Sequence, residues 1–161
     1  MPGRPQADIA YGFVTLQRDD PDYDAAWVME VILGRYALGG RLGDRIRERE
    51  GLAYYVFSAL DANVIPGPLT IRAGVNPANV GRAIAAIDEE VERFRQDGPT
   101  AQEVEDARRY LVGSLPRTLQ TNMKIANFLQ TSEFFGLGLD YDRRMADRLT
   151  AVSRDAVHEA A

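Results

Sequence analysis

The chain of 161 residues has no cysteine, one histidine (His158) and one tryptophan (Trp27). Without cysteine it can build neither a disulfide framework nor a thiolate zinc site. No apolar run approaches the roughly 18 residues that a membrane-spanning helix needs. Low-complexity tracts and internal repeats are absent from the sequence. There is also no basic excess: 19 Lys and Arg stand against 24 Asp and Glu, for a net charge of −5. That balance disfavours nonspecific attachment to nucleic acid or to an anionic membrane. Nothing ahead of the first strand reads as a secretory leader. A mature secreted protein would look the same, so the compartment is left open.

What is present is an ordinary globular composition, 45% apolar and 27% charged, in a chain long enough for one domain with a sizeable core. Ala7–Leu16 reads as a buried strand. Asp20 and Pro21 open a helix over Asp22–Leu33, with Asp20 as cap and proline first in the helix. That helix is apolar nearly all round and should be covered on most sides. After Gly34 and the Gly39–Gly40 pair comes a short helix ending near Glu50. Its Leu42 and Ile46 sit four apart and face inward, leaving the arginines outward. Tyr54–Ala62 and Leu69–Val75 read as strands joined in a hairpin through Pro66, Gly67 and Pro68. Asn76 and Pro77 cap a helix over Ala78–Gln96, and Thr100 with Glu103 has the form of a capping box opening the next. Pro116 should kink or end that helix. A segment with Ile125, Phe128 and Leu129 and two short helices complete the chain. A hairpin followed by consecutive helices predicts an α+β fold rather than a doubly wound one. We read residues 1–161 as a single domain whose ends look cut, the last helix stopping while still apolar, and hence as a piece of a longer polypeptide.

The most informative stretch is Arg47–Tyr54, which runs Arg47, Glu48, Arg49, Glu50, Gly51, Leu52, Ala53, Tyr54. It joins an Arg-rich helix to an aromatic strand through a glycine, placing a guanidinium and a phenol near one junction. Both groups donate hydrogen bonds suited to a peptide carbonyl. Within the wider segment Gly39–Ser58, this block resembles the second-half signature of the insulinase/pitrilysin zinc metallopeptidases, a group that includes the mitochondrial processing peptidases. There an arginine stands seven positions before a tyrosine, as Arg47 stands before Tyr54. Weaker matches extend along nearly the whole chain, at Pro2–Ile9, Asp20–Tyr23, Gly136–Tyr141 and Val152–Val157. One position departs from the pattern: Gly40 stands where serine or threonine is usual, which should weaken the start of the helix carrying Arg47.

The resemblance implies a mostly antiparallel sheet with helices packed on one face. It implies a zinc site in a different half-domain, where a His-x-x-Glu-His helix and a distant glutamate hold the metal and the central glutamate acts as general base. With His158 alone this chain cannot supply that motif, so no metal ligand and no catalytic residue is assigned to it, and His158 reads as structural. What the resemblance leaves to this chain is the non-catalytic, C-terminal half, contributing Arg47 and Tyr54 to substrate binding. Two halves, fused or supplied as separate subunits, would face each other around a chamber. The partners implied are the zinc-carrying half and a peptide, with self-association of the isolated chain as a further expectation. By strand alternation Tyr54 and Tyr55 face opposite ways; from its place in the motif Tyr54 faces the chamber, and Tyr55 shares a core face with Phe57. The alternative is a catalytically inactive scaffold, as in the core subunits of respiratory complexes. Arg41, Arg45, Arg47 and Arg49 are interleaved with Asp44, Glu48 and Glu50, which reads as a salt-bridged helix rather than a nucleic-acid patch. Gly39, Gly40 and Gly43 lack the spacing of a phosphate loop.

Overall fold

The computed structural model describes residues 5–35 and 40–161. Pro2 to Arg4 and Gly39, which entered the sequence reading, lie outside the described residues. Strands β1 (Ala7–Val14), β2 (Ala53–Leu60) and β3 (Pro68–Val75) form an antiparallel sheet in the order β1-β3-β2. The hairpin marked by Pro66–Pro68 is therefore β2–β3, and β1 pairs with the far side of β3. The row Ile9, Ala73, Val56 runs across the buried face of the sheet. Asp8, Gly74 and Tyr55 form the neighbouring row on the opposite face, as the two-residue period of a pleated strand requires.

Helices pack over the buried face, some directly on the sheet and others on those helices. They are α1 (Tyr23–Glu30), α2 (Gly40–Leu42), α3 (Val80–Asp97), α4 (Ala101–Thr118), α5 (Asn122–Phe134), α6 (Tyr141–Ala151) and α7 (Arg154–Glu159). One core joins Val28 of α1, Leu42 of α2, Ile87 and Phe94 of α3, Leu111 of α4, Leu149 of α6 and Val157 of α7 to Ile71 and Val75 of the sheet. The fold is α+β, with helices on one face of an antiparallel sheet, as the order of elements predicts. α1 widens into a π-helical turn over Val31–Arg35, and α2 continues as a π-helical run over Gly43–Arg49. Such widened turns are rare and gather at functional sites.

Local chemistry explains where the elements begin. Asp20 accepts a 2.9 Å bond from the Asp22 N–H, so it caps a turn just ahead of α1 and the helix starts at Tyr23. The capping box at α4 forms in full: the Glu103 N–H donates to Thr100 Oγ1 at 3.2 Å, and the Thr100 N–H donates to Glu103 Oε2 at 2.7 Å. Pro116 lies within α4, which ends two residues later. Leu42 and Ile46 are fully buried as expected. Truncating a buried side chain such as Ile46 typically costs about 2–5 kcal/mol, so the helix that carries Arg47 is firmly anchored.

Candidate functional site

Arg47 stands in the last turn of the π-helical run. Gly51 turns the chain with φ +60°, a conformation that L-residues other than glycine adopt only with strain. β2 follows, and its first step is irregular. Ala53 faces Val75 and Tyr55 faces Gly74, leaving Tyr54 as an extra residue in a β-bulge. Bulges re-aim side chains and are frequent beside active sites. Here the bulge leaves Tyr54 83% exposed.

The bulge also corrects one expectation. Tyr55 does not enter the core with Phe57. The two rings lie on the open face of the sheet, 5.9 Å apart between centroids, and Phe57 is 40% exposed. Val56 and Ser58 take the buried positions instead, and the Ser58 hydroxyl donates to the Glu30 carbonyl at 3.0 Å.

The arginines of this helix divide sharply. Arg41 makes a bidentate pair with Glu103 at 2.7 and 2.8 Å, donates to the Gly98 carbonyl at 2.9 Å and lies over the Phe94 ring. Arg45 pairs with Glu89, Glu90 and Glu50. Arg49 pairs with Asp44 at 2.6 Å. Arg47 makes only a looser contact, its Nε 3.5 Å from Oε1 of the adjacent Glu48, and its side chain is 37% exposed. The salt-bridged helix foreseen in the sequence is thus present, with Arg47 the member least committed to it.

Arg47 opens onto a groove of about 820 Å³ along β2, walled also by Tyr55, Phe57, Asp61, Thr70 and Arg72. Tyr54 stands outside this lining, beyond the bulge. The groove therefore unites Arg47 with Tyr55 rather than with Tyr54, and brings a second guanidinium from Arg72. Sequence reasoning passed over Arg72. Its signal was its place between Ile71 and Ala73, both buried, which by alternation sends Arg72 to the opposite face.

His158 is used structurally. Its Nε2 lies 2.9 Å from the Arg95 carbonyl, an acceptor, so that nitrogen carries the proton and donates. Among the described residues no group of three or more His, Asp or Glu side chains is placed to hold a metal ion, and no helix is long and apolar enough to cross a membrane.

A family model described as the peptidase M16 inactive domain matches residues 1–111 of the chain. The uncharacterized zinc protease SCO5738 of Streptomyces coelicolor is 30% identical over 161 residues, a match covering 97% of this chain and 34% of that protein. The non-peptidase homolog YmxG of Helicobacter pylori is 26% identical over 132 residues, covering 82% of this chain and 30% of that protein. Among solved structures, a peptidase M16 inactive domain from Pseudomonas fluorescens superposes with a TM-score of 0.86 at 28% identity, over 96% of this chain and 37% of that one. The chain spans about a third of the length of the curated relatives it matches.

Proposed function

The chain belongs to the family of the peptidase M16 inactive domain, the half-domain of insulinase/pitrilysin-type peptidases that its Arg47–Tyr54 block resembles, and on that premise we propose that it is the substrate-holding half of a zinc-dependent endopeptidase. Zinc and the activated water belong to the other half, on the same chain or a separate subunit. Arg47 and Tyr54 face a peptide bound across the chamber between the halves. The observation that carries this reading is the contrast among the arginines. Arg41, Arg45 and Arg49 are held in close ion pairs, whereas Arg47 opens onto the groove with its guanidinium loosely engaged.

The chemistry follows from the donors. As a peptide carbonyl is attacked it gains negative charge, and a phenol and a guanidinium fixed beside it stabilise that charge more than the ground state. Arg47 and Arg72 on one groove also suit the backbone carbonyls of an extended peptide, holding its register. The test is reconstitution. The chain alone should neither bind stoichiometric zinc nor cleave peptides, and adding the zinc-carrying half should restore cleavage. Hydrolysis by the isolated chain with bound zinc would overturn the division of labour.

A second reading, an assembly scaffold without catalysis, gains weight from the Helicobacter pylori relative, which is described as a non-peptidase homolog. The discriminating observation is the partner half. A His-x-x-Glu-His helix there supports the peptidase, and its absence supports the scaffold.

A further inference from the structure

The geometry points to a second binding site, for a small carboxylate with an aryl or short alkyl body, in a cavity between α1, α4, α5 and α6. The cavity has a volume of about 310 Å³ and shares no lining residue with the groove along β2. A cavity of that size, mostly apolar with a few polar groups converging on it, has the character of a small-molecule site.

Its polar end is Arg18, only 8% exposed. Nη2 of Arg18 donates to the Tyr141 hydroxyl at 2.9 Å, and the guanidinium carbon lies 3.7 Å over the Tyr23 ring. No carboxylate stands within ion-pair range of it among the described residues. Arginine is rarely buried so deeply without an acidic partner, and its planar fork of five N–H donors matches a carboxylate in bidentate fashion. The second polar group is Ser132. It is the buried residue of α5, 1% exposed, and its hydroxyl lacks a hydrogen-bond partner among the described residues while lining the same cavity. A helix docked for packing alone would bury an apolar side chain at that position, so an unpaired hydroxyl there marks a place for an acceptor.

The surroundings select charge and shape. A wider opening of about 550 Å³ adjoins the cavity, sharing Tyr110, Ser114, Thr118, Phe128 and Thr131 with it and adding Arg117 and Lys124. Among the described residues neither lining contains an aspartate or glutamate, in a chain whose net charge is −5. The route inward is therefore locally cationic and favours an anion. Trp27, with the stacked pair Phe128 and Tyr141 (centroids 6.3 Å apart), walls the remainder. Those rings suit an aryl or short alkyl body. The buried guanidinium of Arg18 and the unpaired Ser132 hydroxyl match a carboxylate.

The test is calorimetric titration of the chain with 3-phenylpropionate, alongside the neutral 3-phenylpropionamide. We expect saturable binding of the acid with a rise in melting temperature, and binding of the amide weaker by about tenfold or more, the cost of losing a charged hydrogen bond. Arg18→Gln should weaken the acid to a similar extent. Ser132→Val replaces an unpaired hydroxyl by methyl groups that narrow the cavity. It should abolish binding while leaving the fold intact, which keeps the test decisive if the Arg18 variant is unstable. Absence of saturable binding up to about 10 mM, equal affinity for acid and amide, or undiminished binding to Ser132→Val would each overturn the assignment.

Discussion

The Tyr55 hydroxyl donates a 2.7 Å hydrogen bond to Oδ1 of Asp8, linking the two outer strands of the sheet over the intervening β3. Gly74 makes the span available: a Cβ there would stand 2.4 Å from Cε1 of the Tyr55 ring. The Asp8 carboxyl is held below its ordinary range, first by the Tyr55 hydroxyl and then by the Gln6 amide. Tyr55 is thereby a fixed wall of the groove, with its hydroxyl already committed. Tyr55→Phe should keep the ring in place and let the Asp8 pKa rise toward its ordinary value, read by NMR titration. Thermal stability should barely change, because the bond is exposed. An Asp8 titration unaltered by the substitution would show that the bond does not persist in solution.

Tyr54 carries the opposite expectation. Its side chain is almost wholly exposed at the bulge, so Tyr54→Phe should leave the melting temperature of the chain unchanged. Under the function proposed above, in an assembly with a zinc-carrying half, the same change should lower kcat by roughly 10²–10³, the effect of removing one donor to a developing oxyanion. On the same proposal Arg47→Gln should raise KM as well, since it would also remove a donor to the peptide backbone. Tyr55→Phe serves as the control and should turn over nearly as wild type does. Full activity in Tyr54→Phe would reduce the pair to scaffolding.

The capping box at Thr100, the hairpin turn at Pro66–Pro68 and the inward Leu42 and Ile46 were all legible in the sequence, because each follows from neighbours a few positions apart. The α+β architecture followed from their order. The bulge at Tyr54 was not legible: it depends on how β2 meets β3 across the sheet, and strict alternation misplaced Tyr55 for that reason. Nor was the pairing of Arg41 with Glu103, separated by 62 residues. Glu103 could be read only as the reciprocal member of its cap. At the site, the sequence singled out Arg47 by motif, while its contrast with Arg41 and Arg45 depends in part on the remote carboxylates Glu89, Glu90 and Glu103 that engage those two.

Glu103 joins both roles, capping α4 and gripping Arg41. Partial burial pushes its pKa up, but the hydrogen bonds from Arg41 and from the Thr100 N–H and hydroxyl outweigh that and hold it at about 2, against an ordinary 4.5. A carboxyl depressed on folding stabilises the protein above its unfolded pKa, and that contribution fades as pH falls through the folded value. The chain should therefore lose stability between about pH 4.5 and 2, and Glu103→Gln should show a flatter profile there. At neutral pH the variant should be less stable by about 1–2 kcal/mol, a figure that allows for solvent screening of a partly exposed pair. Parallel profiles for the two proteins in chemical denaturation across that window would remove Glu103 as the cause.

Gly40 stands where the resemblance leads one to expect serine or threonine, and its backbone favours glycine. Its φ is +53°, and a Cβ would stand 2.7 Å from the Ile32 carbonyl oxygen and 2.8 Å from both the Gly34 nitrogen and the Leu33 oxygen. Those are backbone atoms of the π turn that ends α1, so they cannot swing aside as a side chain could. A serine would offer a helix cap worth about 1 kcal/mol, but the left-handed conformation alone costs an L-residue about 1–2 kcal/mol, before any clash is relieved. Strain should win. Gly40→Ser is expected to lower the melting temperature by about 2–8 °C, as a loss of 1–2 kcal/mol implies for a chain of this size, with Gly40→Ala somewhat worse because it lacks the cap. A serine variant that melts at or above the wild-type temperature would mean that α2 opens in another conformation, one in which a side-chain cap is accommodated.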